Sequence, residues 1–262
     1  MKKTVGLLIV FGAVSVLTAS AVVIDEWDMS DDGANQVSDG GVTLPFTNTN
    51  GMSYAQTAGD STFLFSPTNA SGYSARVALS STADLTAGIA TLTLSAANFD
   101  WSTNSAANSK VSIRLWNSAQ TEWVGLGWGD QSDKVKAQVT SSAGLGGVNT
   151  TIGRVVNGLA GAPSSDIVME IDYQNGELRT YAPAGWNWAP GGADRVYTNA
   201  VDFAGNGVTD LGRIQVTYAN MTDGDLVTYD DVKVESVPEP ATLGMIGLVA
   251  GGLLFIRRRF MI

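Results

Sequence analysis

The chain contains no cysteine and no histidine among its 262 residues. Without cysteine it forms no disulfide, so a folded domain must be held together by its core or by bound metal. Without histidine, Ser-His-Asp and Cys-His catalysis, His-ligated zinc and His-ligated haem are excluded. Acid–base chemistry by paired carboxylates is the catalytic chemistry that remains open.

Charged residues are also scarce, at 15% of the chain, and basic residues are fewer than acidic ones. Residues 1–21 hold two lysines, and residues 238–262 hold three arginines and one glutamate. The part between them therefore carries 10 basic and 24 acidic residues, a net charge of −14. Such a surface repels phosphate backbones, which disfavours nucleic acid as a partner.

Long apolar runs occur only near the two ends of the sequence. At the first end, Lys2 and Lys3 precede an apolar run at residues 5–17, and Ala-Ser-Ala at residues 19–21 supplies a small-x-small pattern. This order predicts that residues 1–21 are a signal peptide, removed by signal peptidase after Ala21 from an exported protein. A permanent N-terminal anchor is the alternative, but the run is short for one.

The last 26 residues combine a turn motif, an apolar run and a basic cluster. The motif is Val237, Pro238, Glu239 and Pro240, the apolar run is 241–256, and the cluster is Arg257, Arg258 and Arg259. At ~1.5 Å per residue the run predicts a transmembrane helix of about 24 Å, and snorkelling arginines or local thinning bridge the remaining distance across the bilayer. The positive-inside rule places the arginines in the cytoplasm.

This order of motif, span and basic cluster resembles the PEP-CTERM sorting signal of Gram-negative bacteria that export surface or extracellular-matrix proteins. The resemblance covers residues 237–262 and implies recognition by an integral-membrane exosortase, which cleaves near the Pro-Glu-Pro motif. It implies that the C-terminal helix anchors the protein in the inner membrane until processing, after which the protein reaches the cell surface or the matrix. A tail anchor without processing is the alternative.

Residues 22–236 show short runs of period two between turn residues, with no useful helical periodicity. The predicted strands are 22–29, 42–46, 62–65, 73–79, 89–95, 110–117, 121–128, 134–139, 166–173, 177–181, 195–203, 212–219 and 226–235. Residues 141–151 have the composition of a loop, and Asn175-Gly176 predicts a type I′ hairpin turn. Many short strands without crossover helices predict one all-β domain, an antiparallel jelly-roll β-sandwich.

Two short segments carry a second resemblance. The sequence DIVMEIDYQNGELRTY at 166–181 is similar to the central hairpin of concanavalin A-like (laminin G-type) sandwiches. The sequence YDDVKV at 229–234 looks like the last strand of those domains and of jelly-roll carbohydrate-binding modules. Several all-β families share these patterns, so they support the architecture more than any one family.

In many such jelly rolls the first and last strands lie side by side and bind a structural ion near their ends. Asp25 and Glu26 belong to the predicted first strand, and Asp230 and Asp231 to the predicted last strand. Carboxylate oxygens are the ligands that calcium prefers. The resemblance therefore implies a structural calcium site at these residues, with solvated acidic turns as the alternative.

Two tryptophans suggest a sugar platform. Trp186 and Trp188 are two residues apart in a Pro/Gly-rich loop, so in an extended segment their rings project to one side, where a pyranose can stack. Packing of this loop onto the sheet is the alternative. Other tryptophans fall in or beside strands, where aromatics usually pack in the core or across strands; they are Trp101, Trp116, Trp123 and Trp128.

Candidate catalytic carboxylates occur in the 166–181 hairpin. Glu170 and Asp172 share one strand face and Glu177 follows the turn, whereas glycoside hydrolysis requires two carboxylates facing each other across a cleft. The segment lacks the aromatic-flanked Glu-x-Asp-x-x-Glu arrangement of concanavalin A-like glucanases. With Arg179 nearby, a charge-paired sheet face is the simpler interpretation, so we expect no enzymatic activity.

The sequence thus predicts an exported, exosortase-sorted β-sandwich that acts at the cell surface or in an exopolysaccharide matrix. A non-catalytic structural or carbohydrate-binding component is the first hypothesis. A polysaccharide-active glycoside hydrolase with paired carboxylates is the second, and a passive surface-layer or biofilm protein is the third.

Overall fold

The computed structural model describes residues 21–29, 35–45, 52–56, 63–67, 73–100, 110–131, 134–156, 165–182, 195–219, 226–229 and 231–238. All of them belong to one unit, Ala21–Pro238. The predicted signal peptide and the predicted helix at 241–256 lie outside these residues. Within the described ranges, no helix has the length and apolar character needed to cross a membrane.

The described elements are β-strands and one short 3-10 turn. They are β1 (Val22–Trp27), β2 (Asn35–Val37), β3 (Thr43–Pro45), β4 (Met52–Gln56), β5 (Phe63–Pro67), β6 (Tyr73–Asp84), the 3-10 turn (Leu85–Ala87), β7 (Gly88–Asp100), β8 (Lys110–Trp116), β9 (Trp123–Gln131), β10 (Lys134–Ser141), β11 (Asn149–Val156), β12 (Ser165–Asp172), β13 (Glu177–Ala182), β14 (Arg195–Ala200), β15 (Asp210–Ala219), β16 (Leu226–Tyr229) and β17 (Asp231–Pro238).

Every described strand pair is antiparallel. A nine-stranded sheet is built around β7, which pairs with β12 along one edge and with both β17 and β16 along the other. Strands β13 and β14 extend this sheet beyond β12, β1 extends it beyond β17, and β5 and β4 extend it beyond β16. The first and last strands therefore lie side by side, as predicted.

A six-stranded sheet has the order β11-β10-β9-β8-β15-β6. Strand β15 lies between β8 and β6, so it joins segments that are far apart in the chain. Strands β2 and β3 form a separate two-stranded hairpin.

Both large sheets contribute alternate side chains to one apolar core. In β8 the inward residues are Val111, Ile113 and Leu115, and in β12 they include Ile167 and Met169, all at most 1% exposed. Successive side chains of a strand point to opposite faces, so these runs form the apolar inner surface of each sheet. The prediction of an antiparallel jelly-roll β-sandwich is confirmed.

Three strands were not predicted: β2, β4 and β11. Residues 149–151 belong to β11, so the predicted loop at 141–151 ends earlier. The predicted strand at 226–235 is divided into β16 and β17 on either side of Asp230.

The hairpin of β12 and β13 is present, but its turn is not type I′. Asp172 pairs with Glu177, so four residues form the turn. Of these only Gly176 has a positive φ, at 63°. A type I′ turn requires a positive φ at both of its central residues. Here the Asp172 carboxylate instead stabilises a longer turn, because it accepts a hydrogen bond of 3.0 Å from the Asn175 main-chain amide.

Candidate functional site

The two large sheets differ in charge. The strands of the six-stranded sheet contain seven basic and three acidic residues, whereas those of the nine-stranded sheet contain three basic and nine acidic residues. The seven basic residues are Arg76, Lys110, Arg114, Lys134, Lys136, Arg154 and Arg213. The domain is acidic overall, so an excess of basic residues in one sheet is not expected from its net charge.

The outer side of the six-stranded sheet carries a group of arginines and tryptophans. We name it the Arg–Trp face, and its members are Arg76, Arg114, Trp116, Trp123, Arg213 and Gln215. Inward packing of Ile113 and Leu115 turns Arg114 and Trp116 outward, since side chains alternate along β8. The strand register places Trp116 opposite Trp123 on β9 and opposite Arg213 on β15.

Each tryptophan of this face is stacked against an arginine. The Arg76 guanidinium carbon lies 3.5 Å from the Trp116 ring centroid, and that of Arg114 lies 4.0 Å from the Trp123 ring centroid. The two indoles are 6.1 Å apart with an interplanar angle of 42°. Each guanidinium therefore lies over an indole ring, which is the contact of a cation–π pair.

Glycine makes room for one of these stacks. Gly125 on β9 lies opposite Arg114, and the Arg114 Cγ is 3.0 Å from the position that a Cβ of residue 125 would occupy. A larger residue at 125 would also collide with the main chain of β8. The Arg114 side chain can therefore lie over Gly125 and reach Trp123 on the same strand.

Amide side chains fix the orientation of Trp116 and Arg76. The Trp116 indole N–H donates to Gln215 Oε1, and the Gln215 amide donates in turn to Ser74 Oγ. Arg76 donates to Gln120 Oε1 at 3.2 Å. Gln120 has a φ of 61°, a left-handed conformation that a non-glycine residue rarely adopts.

The turn that carries Gln120 is held by Asn117. The Asn117 side-chain oxygen accepts hydrogen bonds from the main-chain amides of Thr121, at 2.9 Å, and Glu122, at 3.1 Å. These bonds stabilise the left-handed conformation of Gln120, and so keep its amide beside Arg76. Strained residues of this kind often occur at binding sites.

The arginines of this face have no anionic partner within the described part of the chain. The ion pairs found there involve only Arg179 and Lys233. The pKa of Arg76 is lowered, chiefly by burial and secondly by the positive charge of Arg213. The pKa of Arg114 is also lowered, chiefly by burial and secondly by the positive charge of Arg76. Burial and like charge thus raise the free energy of the cation at both positions, although each arginine stays charged at neutral pH.

Two buried polar atoms on the outer side of β8 also lack hydrogen-bond partners among the described residues. They are Arg114 Nε and Ser112 Oγ. Ser112 is only 6% exposed. A buried polar atom without a partner is destabilising, so this part of the face is not optimised for the stability of the free protein.

The predicted sugar platform and most of the sorting motif lie outside the described residues. These residues are Trp186, Trp188, Glu239, Pro240, Arg257, Arg258 and Arg259. Asp230, one of the predicted calcium ligands, is also outside them.

The structure does not bring the remaining predicted calcium ligands together. Asp25 shares the inward face of β1 with Trp27 and is 1% exposed. Its carboxylate accepts hydrogen bonds from Ser38 Oγ at 2.5 Å and from the Ser80 amide at 2.7 Å. Asp25 thereby connects β1 to β6 and to the β2–β3 hairpin, which is a structural role.

Glu26 and Asp231 lie on the outward side of the same sheet. Glu26 is opposite Lys233 on β17, and Asp231 is opposite Ser95 on β7. Throughout the described residues, no group of three or more acidic side chains is placed to hold a metal ion. Calcium at this edge stays a prediction.

The candidate catalytic carboxylates are bound to a single arginine. Arg179 contacts Glu170 and Glu177, each at 3.3 Å, and also Asp172. Burial raises the pKa of Asp172, but hydrogen bonds from Asn175 and the charge of Arg179 outweigh it and hold this pKa below its usual range. A general acid requires the opposite shift. This cluster is a charge-paired sheet face, as the simpler interpretation of the sequence has it.

The members of the Arg–Trp face were not predicted as a site. The alternation of β8 gives a local signal, because its apolar positions require Arg114 and Trp116 to face outward. Arg76 and Arg213 could not be assigned to the same place from local patterns, because the order of β8, β15 and β6 depends on pairings between distant segments.

The Asp172 carboxylate supports a test by pH. Asp172 is 4% exposed, so we expect Asp172→Asn to lower the free energy of unfolding by about 1–3 kcal/mol at pH 7, as for buried hydrogen bonds to charged groups. The folded-state pKa lies below the ~3.9 of an unfolded aspartate, so this stabilisation is present above about pH 4 and is lost as pH falls through the folded-state pKa. Urea unfolding at pH 7 and pH 2.5 measures both values.

Glu177→Gln is the matched control. Glu177 contacts the same arginine, but its side chain is 35% exposed. We expect a loss of at most about 1 kcal/mol, as for exposed ion pairs. An equal effect of Asp172→Asn at both pH values would contradict the assignment.

Solved structures with a similar fold include the CBM2 module of the evolved Dit of Lactobacillus casei BL23 phage J-1. It has 12% sequence identity and a TM-score of 0.50, over 85% of this chain and 98% of that one. The lectin from Bauhinia forficata in complex with GalNAc has 11% identity and a TM-score of 0.46, over 84% and 99% of the two chains. Peanut lectin with a 9mer peptide has 8% identity and a TM-score of 0.46, over 84% and 99%. At such identities the likeness concerns the fold alone.

No curated protein matches the chain. A family profile described as the PEP-CTERM protein-sorting motif matches residues 236–259. The match begins inside β17, where Ser236, Val237 and Pro238 still pair with β7. The chain therefore carries a PEP-CTERM sorting motif directly after its β-sandwich, which implies an exported protein that is anchored at its C-terminus and processed by an exosortase.

Proposed function

We propose that this protein is a non-catalytic component of the cell surface or of an exopolysaccharide matrix, and that its β-sandwich binds carbohydrate through the Arg–Trp face. The sorting motif supports the export that this location requires. The observation that carries the binding proposal is the pair of arginine-stacked tryptophans on the outer side of a rigid sheet.

The chemistry of this face suits a sugar. Indole rings pack against the apolar C–H surface of a pyranose, and guanidinium and amide N–H groups donate to hydroxyl or carboxylate oxygens. The hydrogen bonds of Gln215 and Gln120 hold Trp116 and Arg76 in place before a ligand arrives. Such preorganisation reduces the entropy lost on binding.

The described carboxylates favour binding over hydrolysis. Arg179 holds Glu170, Asp172 and Glu177 in one group, so they do not face each other across a cleft. The pKa of Asp172 is lowered, mainly by hydrogen bonds from Asn175 acting against burial. A glycoside hydrolase remains the alternative function.

Substitution of the two stacked tryptophans tests the proposal. We expect Trp116→Ala with Trp123→Ala to reduce polysaccharide binding at least about tenfold, since removal of an aromatic anchor typically costs more than 1 kcal/mol. Affinity electrophoresis of the Ala21–Pro238 domain against a panel of soluble polysaccharides measures this effect. Circular dichroism shows whether the variant remains folded.

Trp186→Ala with Trp188→Ala is the matched control, because it removes the same number of indoles from the other predicted platform. Loss of binding in this variant alone would contradict the proposal and favour the 183–194 segment. Release of reducing ends from any polysaccharide of the panel would instead favour the hydrolase.

We also retain structural calcium between β1 and β17 as a proposal. Of the four predicted ligands, Glu26 and Asp231 share the outward side of the sheet, Asp25 faces the core, and Asp230 is outside the described residues. An ion that binds only the native state raises its stability, by about 2.7 kcal/mol at a hundredfold excess over Kd. We therefore expect a higher melting temperature in millimolar calcium than in chelator. An unchanged melting temperature would remove the ion.

A further inference from the structure

We propose that the ligand of the Arg–Trp face is an acidic polysaccharide, and that its uronic-acid carboxylates pair with Arg76, Arg114 and Arg213. This inference rests on the proposed function, because it names the class of carbohydrate that the same face binds.

The six-stranded sheet is basic although the domain is acidic. The acidic residues of the domain outnumber its basic residues by 14, yet the strands of the six-stranded sheet have four more basic than acidic residues. The three acidic residues of these strands are at or next to strand ends: Asp84, Asp130 and Asp210. Away from the strand ends, all charged residues of these strands are therefore basic.

The three arginines of the Arg–Trp face repel one another. Arg76 lies close enough to both Arg114 and Arg213 for their like charges to disfavour one another. Among the described residues, no carboxylate lies within ion-pair distance of the three arginines. A carboxylate ligand would offset the repulsion between these like charges, because it carries the opposite charge and accepts hydrogen bonds from guanidinium groups.

The geometry of the stacks favours a carboxylate in particular. The Arg76 and Arg114 guanidinium groups lie over the Trp116 and Trp123 rings, and a planar guanidinium pairs with a carboxylate through two parallel N–H···O bonds along one edge. Indole surface beside these donors suits the apolar C–H face of the same sugar. Both parts of a uronic acid thus have a counterpart on the Arg–Trp face.

The extent of the basic surface indicates a polymer. Arg76, Gln215 and Arg114 occupy one row across β6, β15 and β8, so Arg76 and Arg114 are about 9–10 Å apart at the main chain. A second row across β8, β9, β10 and β11 contains Lys110, Lys136 and Arg154. Lys110 and Arg114 are four residues apart, so the rows are separated by about 13 Å. A polymer can follow basic positions spaced in this way along the strand register, whereas one small anion cannot reach both rows.

A nucleic acid is the less suitable polyanion. Double-stranded DNA carries one charge per ~1.7 Å, which maximises repulsion from a domain of net charge −14. A uronic-acid polymer has at most one carboxylate per sugar and presents apolar C–H faces between its charges.

The experiment compares polygalacturonate with its fully methyl-esterified form, which has the same backbone without the charge. We expect the Ala21–Pro238 domain to bind polygalacturonate at least about tenfold more tightly than the ester, and the difference to shrink with added salt. Arg76→Gln and Arg114→Gln should each weaken polygalacturonate binding about tenfold or more, as for charge-assisted hydrogen bonds, and should weaken ester binding by a smaller factor. Lys233→Gln, the same charge change on the nine-stranded sheet, should leave both affinities unchanged.

A stability measurement separates binding from folding. Because Arg114 is a partly buried cation among like charges, Arg114→Gln should leave the midpoint of urea unfolding unchanged or raise it. Arg114→Lys keeps the charge but loses the planar group, so it should restore only part of the affinity. A large loss of stability in Arg114→Gln would overturn the assignment of this residue to ligand binding.

The remaining outcomes distinguish this inference from the proposed function. Equal binding of polygalacturonate and its ester, lost in the Trp116→Ala and Trp123→Ala variant, would overturn the acidic ligand and leave carbohydrate binding standing. No binding of either polymer would overturn both. Tighter binding of dextran sulfate than of polygalacturonate would reject carboxylate in favour of sulfate, and tighter binding of DNA would reject a polysaccharide. Salt-sensitive oligomers that Arg114→Gln dissolves would show that the acidic sheet of a second copy occupies this face, which also overturns the proposal.

Discussion

Burial of two inner sheet faces against each other holds this domain together. A chain without cysteine has no covalent crosslink, so apolar packing must offset the conformational entropy lost on folding. Because side chains alternate along a strand, each inward apolar residue fixes its two neighbours on the outer side. The core that stabilises the sandwich therefore also determines which polar residues form its two outer surfaces.

Those two surfaces have different chemistry. On the nine-stranded sheet, Arg179 is surrounded by three carboxylates, and opposite charges neutralise one another within the protein. On the six-stranded sheet, Arg76 and Arg114 are stacked on indoles and have no described counter-ion. The first arrangement serves the stability of the free protein, whereas the second leaves donors and charge available to a ligand. An exported protein with a sorting motif and one such face is consistent with the proposed contact with matrix polysaccharide.

The sequence predicts the parts of this structure that depend on local alternation. In β12 the apolar positions 167, 169 and 171 predicted both the strand and its buried face. The burial of Asp25 also has a local signal in the sequence. Asp25 shares a strand face with Trp27, and this spacing indicates a buried carboxylate. Its hydrogen bond from Ser80 could not be predicted, because it joins two strands that are far apart in the sequence.

Contacts between distant strands also explain why the Arg–Trp face could not be assembled from sequence. Arg76 and Trp116 are 40 positions apart in the sequence, and they meet only because β15 enters between β6 and β8. The β4 and β11 strands were missed for another reason: their sequences, MSYAQ and NTTIGRVV, mix small, polar and apolar residues without strict alternation.

The most direct test of the central claim follows the indole N–H signals of the seven tryptophans by NMR during titration of the domain with polygalacturonate. Single Trp→Phe variants assign the signals, and each tryptophan reports on its own part of the molecule. If the Arg–Trp face is the binding surface, the signals of Trp116 and Trp123 shift with saturation while those of Trp27, Trp186 and Trp188 stay in place. Shifts confined to Trp186 and Trp188 would contradict the account.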